Sequence, residues 1–185
     1  MQWGEKMVYL FLADGFEIIE AMAPADMLSR AGIECRLVGV TGEYVKASNG
    51  IEVKSDILID DISPDESIEM VILPGGMPGT RNLEDNGKVI EFVKYCYDKG
   101  KYIAAICAAP SILGHLGMLD GIKATCFPEF SDELGNAVYT ADKVEHSGNI
   151  ITARGAGVAV KFGLKCVKAL RGKSVSEQIA RAIQK

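Results

Sequence analysis

The chain has 185 residues, 48% of them hydrophobic and 24% charged, the composition of a globular protein near the length of one domain. At that length folding buries about 70% of the surface an unfolded chain exposes, enough for a core without disulfide or metal staples. Twenty Lys and Arg against 25 Asp and Glu leave a net charge of −5, which argues against nucleic acid or an anionic membrane surface as a partner, and no apolar run approaches the roughly 18 residues of a spanning helix.

Met7–Ala13 is a short continuous apolar run, as expected of a strand covered on both faces. Asp14 and Glu17 follow it, without the small-residue pattern of a signal cleavage site, so a cytoplasmic protein is expected. Glu17–Ala31 has helical spacing, with Ile18, Met22, Ala25 and Leu28 on one face and Gly32 at the stop position. Pro24 inside it should kink the helix or remove a hydrogen bond. Glu34–Val40 reads as a second strand. Glu43–Ile59, with Asn49-Gly50 between two β-leaning runs, reads as a hairpin appended to the sheet. Met70–Leu73 is a third strand, closing on Pro74-Gly75-Gly76. Asn86 is a suitable cap for a helix over Gly87–Lys99, whose Val89, Phe92, Val93 and Cys96 follow the i, i+3, i+4, i+7 pattern. Tyr102–Ile106 is a buried-strand run ending at Cys107, and Ala109–Leu116 is helical. Lys123–Cys126, Lys143–Glu145 and Ile150–Ala153 are shorter strands, and Val158–Leu170 and Val175–Ile183 are helices.

This alternation predicts one α/β domain over residues 1–185: a mainly parallel sheet sandwiched between helices, with the hairpin appended. Ligands in such folds sit beyond the carboxyl ends of the strands. Three stretches fall there: Asp14–Glu20, Gly75–Gly79 and Cys107–Pro110.

The five cysteines include no CxxC pair, and there are only two histidines. Reduced thiols and no metal or other cofactor are therefore expected. Cys107 stands apart, because it ends a strand and is followed by Ala108, Ala109 and Pro110 at a helix start. Small neighbours suit a nucleophile on a sharp strand-to-helix turn, and a helix start favours thiolate over thiol. A buried cysteine that merely fits the turn is the alternative. Cys35, Cys96, Cys126 and Cys166 read as packing residues. The glycines at 75 and 76 could turn backbone N–H groups toward an anion, although a glycine pair after a strand is often only a turn. Glu20, surrounded by Ile18, Ile19 and Met22, could have a raised pKa and move a proton; an ordinary acidic residue in a first helical turn is the competing reading. His115 lies roughly 12 Å along its helix from Cys107 at 1.5 Å per residue, too far to be its base, and His146 reads as solvated.

Glu20, Gly75-Gly76, the run Ala104 to Pro110 around Cys107, Asp26 to Ile33 and Thr152 to Gly155 together closely resemble the ThiJ/PfpI superfamily, in its parkinsonism-associated deglycase branch with bacterial ThiJ-like relatives. The resemblance covers Met7 to about Ile183. It implies a flavodoxin-like, class I glutamine-amidotransferase-like fold, a homodimer, an oxidisable nucleophile at Cys107, a protonated carboxyl at Glu20, and backbone donors at Gly75, Gly76 and Ala108. There are departures. The protease-like branch has His after the cysteine, where this chain has Ala108. The histidine and arginine that the deglycase branch places near its site fall at Phe127 and Asn49.

The implied function is an enzyme of small reactive carbonyls or their adducts, converting methylglyoxal to lactate with Cys107 as nucleophile and Glu20 as proton shuttle. The alternative is a non-enzymatic oxidative-stress sensor or chaperone in which Cys107 is oxidised to the sulfinate. A cysteine amidase or protease ranks below both.

Overall fold

The computed structural model describes residues 6–185. In chain order the elements are β1 (Met7–Leu12), α1 (Ile18–Arg30), β2 (Cys35–Gly39), β3 (Tyr44–Lys46), β4 (Glu52–Lys54), β5 (Ile57–Leu58), β6 (Ile68–Leu73), α2 (Gly79–Glu84), α3 (Gly87–Asp98), β7 (Tyr102–Ile106), α4 (Pro110–His115), β8 (Lys123–Ala124), β9 (Val138–Tyr139), β10 (Val144–Ser147), β11 (Ile150–Ala153) and α5 (Ala159–Ala182). Short 3₁₀ turns at Ile59–Asp61, Pro128–Glu133 and Ala156–Val158 join them.

Seven strands form the main sheet in the order β10-β11-β7-β6-β1-β2-β5. Every neighbouring pair is parallel except β10 with β11. Both faces are covered, so each strand alternates between two apolar layers. From β1, Phe11 and then Ala13 enter the layer that holds Val89, Phe92 and Val93 of α3. Val8, Leu10 and Leu12 enter the opposite layer with Leu28 of α1 and Phe162 of α5. Chain order reverses between β1 and β6, which opens a crevice at their carboxyl ends. No described helix is long and apolar enough to cross a membrane.

The expected appended hairpin is present as β3–β4, a two-stranded antiparallel sheet of its own that clamps the loop after β1. Gly15 N–H donates to Lys46 O at 2.7 Å, Lys46 N–H to Asp14 Oδ1 at 2.8 Å, and Ser48 N–H to Phe16 O at 2.9 Å. The strand expected over Lys123–Cys126 stops at Ala124 and pairs with β9, because the Thr125 N–H is taken by the Thr152 side chain at 2.9 Å. The expected strand over Lys143–Glu145 runs instead from Val144 to Ser147, and it contains His146. The two expected C-terminal helices are present within α5, separated at Gly172, whose φ of 86° no helical residue adopts.

The buried face of α1 is Glu20, Ala21, Pro24, Met27 and Leu28, not the Ile18-Met22-Ala25-Leu28 stripe. The reason is close helix packing. α5 passes so near that a Cβ at Gly163 would lie 2.7 Å from Pro24 Cα, and this contact rolls the Pro24 side inward. Pro24 sits within a continuous helix and leaves the Glu20 carbonyl without its i+4 donor.

Gly163→Ala tests this packing. Alanine is the better helix former by roughly 1 kcal/mol, yet the variant should lose about 1–3 kcal/mol in denaturant unfolding because the new methyl meets backbone. A gain in stability would mean that α1 and α5 are free to separate.

Candidate active site

Three loops meet at the carboxyl end of the sheet, and backbone hydrogen bonds hold them together. Glu17 caps α1, its Oε1 accepting the Ile19 N–H at 3.4 Å. The Glu17 N–H donates across to Gly75 O at 2.9 Å. Glu20, in the first turn, is therefore directed under the loop that follows β6. It is fully buried, and its Oε2 accepts the Gly75 N–H at 2.9 Å.

This approach requires glycine. A Cβ at Gly75 would lie 2.6 Å from Cys107 Cβ and 2.7 Å from Glu20 Oε2. At Gly76, where φ is +91°, it would lie 2.5 Å from both Glu17 N and Gly15 O.

Cys107 follows β7 directly, with a left-handed φ of 65°. Such a conformation costs a non-glycine residue about 1–3 kcal/mol. Both of its main-chain groups are fixed: its N–H donates to Ala153 O at 2.9 Å, and its carbonyl accepts the Phe127 N–H at 2.8 Å. Buried Ala108 and Ala109 leave room for this turn. The Ala108 and Gly76 N–H groups face the sulfur, where they favour a negative charge.

The structure thus brings together Cys107, Glu20, Gly75, Gly76 and Ala108. One expected role changes. The Gly75 N–H is committed to the carboxyl, so the donors at the sulfur are Gly76 and Ala108. Asn49 is exposed in the hairpin turn, where its Oδ1 accepts the Ile51 N–H at 3.2 Å. His115 is bound to Glu84 and Glu133 on the far side of α4.

The electrostatics also differ from a simple helix-start argument. Burial raises Glu20 to about 7, opposed by the nearby Cys107 thiol, by the Gly75 N–H bound to its Oε2 and by the Ala156 backbone. Burial, and then the facing Glu20 charge, push the Cys107 thiol up to about 12. α4 has only six residues, too short a dipole to offset these effects. The pair therefore loses its first proton near neutrality and its second only in strong base, carrying one negative charge between. Glu20 Oε1 has no partner of ordinary hydrogen-bond geometry. It faces the sulfur: a Cβ on Gly155 would be 4.0 Å from both Oε1 and Sγ.

The other thiols lie in different settings. Cys96, Cys126 and Cys166 are buried, and Cys35, partly exposed, is pushed up to about 12 by burial and Asp56. Cys126 lies just beyond β8, not within it. Beside Cys107, a surface cleft of about 520 Å³ opens between Phe127–Glu129 and Arg154–Val158. In the sequence Gly155 marks only the end of the Thr152–Gly155 run that carries the resemblance, and neither Ala156 nor this cleft is visible there. Among the described residues no group of three His, Cys, Asp or Glu could hold a metal ion.

A family model described as DJ-1/PfpI matches residues 6–169. The chain belongs to the DJ-1/PfpI family. Within the family, it is 35% identical over 181 residues to protein dj-1beta of Drosophila melanogaster, covering 96% of each chain. It is 30% identical to glutathione-independent glyoxalase DJR-1.2 of Caenorhabditis elegans, over 90% of this chain and 89% of that one. The solved structure of oxidized DJ-1 from Toxoplasma gondii superposes with a TM-score of 0.92 at 34% identity, covering 97% of this chain and 98% of that one.

The raised Glu20 value makes stability depend on pH. Its folded-state value lies above the ordinary 4.5, so its contribution is fully present below pH 4.5 and lost as pH rises through about 7. The loss amounts to about 3 kcal/mol. Glu20→Gln, neutral throughout, should gain that much over the wild type across this window in urea unfolding, and its Cys107 thiol should titrate lower because a like charge is gone. A flat stability difference, or an unchanged thiol titration, would separate the two groups.

Proposed function

We propose that the protein converts 2-oxoaldehydes such as methylglyoxal to 2-hydroxy acids, here lactate, with Cys107 as nucleophile and Glu20 as the proton carrier. The observation that carries this reading is the unpartnered Glu20 Oε1 opposite the Cys107 sulfur, beside two main-chain donors. The relative named a glutathione-independent glyoxalase supports it.

As Sγ bonds to the aldehyde carbon, its proton passes to Glu20, and the new oxyanion accepts the Gly76 and Ala108 N–H groups. Glu20 hands that proton to the oxygen, giving the hemithioacetal and a free carboxylate. Glu20 then takes the former aldehyde hydrogen as a proton and returns it to the neighbouring carbon, while the hydroxyl proton passes to the former ketone oxygen, giving the thioester of the hydroxy acid. Water cleaves the S–C bond, releasing lactate and the thiol. One carbon is oxidised and its neighbour reduced, so no outside oxidant is needed. The reading includes a homodimer, for which exposed Ile19 on α1 and Ile51 on the hairpin offer apolar contact area.

Lactate formation from methylglyoxal is the test. Cys107→Ala should abolish it, and Glu20→Gln should lower kcat by at least about 100-fold, the usual contribution of a positioned acid–base group. Wild-type lactate formation no greater than that of Cys107→Ala would end this reading.

The same unpartnered oxygen favours a second reading, a redox sensor. A protonated Oε1 can donate to an oxygen of a Cys107 sulfinate, with Gly76 and Ala108 donating to it as well. Hydrogen bonds to a charged group contribute roughly 1.5–3 kcal/mol each, so mild peroxide should raise the melting temperature of the wild type but not of Cys107→Ala. An unchanged or lower melting temperature after mass spectrometry has verified the sulfinate would remove the sensor.

A further inference from the structure

The cleft beside Cys107 is larger than a three-carbon aldehyde needs. At about 520 Å³ it falls in the range of pockets that enclose ring-bearing ligands. Gly155 forms the threshold between sulfur and cleft. A Cβ there would lie 4.0 Å from Cys107 Sγ and 3.5 Å from Phe127 Cδ2, so the missing side chain leaves a path from the sulfur to the aromatic ring.

A substituent on a carbon bonded to Sγ would follow that path onto the Phe127 ring, which is 39% exposed. Pro128 and Val158 add apolar wall. The cleft's two charged residues, Arg154 and Glu129, have opposite signs, so they select for no net charge. Phe127 occupies the position where the resemblance led one to expect a histidine, and it replaces a polar ring with an apolar one.

We propose that the substrates are 2-oxoaldehydes bearing a flat apolar group, of the arylglyoxal type, and that Phe127 determines this specificity. The proposal rests on the carbonyl reading and names its substrate class. Phenylglyoxal and water give mandelate: the S–C bond forms at the aldehyde carbon, its hydrogen moves as a proton to the ketone carbon, and water releases the acid and restores the thiol. In this complex the phenyl group stacks on Phe127, offset or edge to face. The methyl of methylglyoxal leaves that ring in water.

The test measures product, because phenylglyoxal also modifies arginine. Mandelate and lactate formation are compared in wild type, Phe127→Ala and Phe127→His, with Cys107→Ala as background. The wild type should favour phenylglyoxal by about tenfold in kcat/KM, and both Phe127 variants should reduce that preference about tenfold. The main-chain bond from Phe127 to Cys107 survives either substitution, so the ratio reads the ring alone. A wild-type preference for methylglyoxal, or a ratio unmoved by Phe127→Ala, overturns the proposal.

A second measurement separates it from the carbonyl reading: protection of Cys107 from iodoacetamide by mandelate or lactate. Protection by mandelate alone, lost in Phe127→Ala, sustains the pocket even if no aldehyde is turned over. Equal protection by both acids, or none, overturns it.

Discussion

Two acids and one negative charge occupy the same small volume, and the architecture around the site is organised by that fact. Glu20 is fully buried, with one carboxyl oxygen on the Gly75 amide and the other facing Cys107. A second charge in so dry a place is disfavoured, so the proton that one group releases the other holds. Neither group acts alone. The thiol's ordinary acidity is suppressed by burial and by the carboxylate, and the carboxylate is itself pushed toward neutrality by burial.

Holding the pair this close places demands on the backbone. The loop after β6 must press against both carboxyl and thiol at Gly75, and against the Gly15–Glu17 backbone at Gly76, with no side chain at either position. Cys107 must take a left-handed turn, and the ends of β11 and the Phe127 segment fix it there from both sides. The site is thus a product of the sheet: β1, β6 and β7 are adjacent, and their carboxyl-end loops converge where chain order reverses. The packing of α1 against α5 completes the arrangement by rolling Glu20 inward.

Much of this was legible in the sequence, for physical reasons. Continuous apolar runs mark strands covered on both faces, and Asn86 and Gly32 mark helix ends. Cys107 between a strand and small residues announces a strained turn. The rest depended on tertiary contacts. The buried face of α1 is set by Gly163 rather than by its own hydrophobic stripe. The Gly75 amide goes to a carboxyl 55 residues away, a partner that no local motif names. The thiol's environment goes beyond the helix start that the sequence marks, because desolvation and a facing carboxylate arise only in the fold. The cleft between Phe127 and Gly155 is not marked by any local pattern, because it arises where residues of two distant segments meet.

The shared proton can be observed directly by following the Glu20 carboxyl through pH with isotope-edited infrared spectroscopy or carbon NMR. The account predicts a midpoint near 7 in the wild type, moving upward in Cys107→Ala, where the thiol that favours the carboxylate is lost. A midpoint near 4.5, the same with or without the thiol, would contradict it.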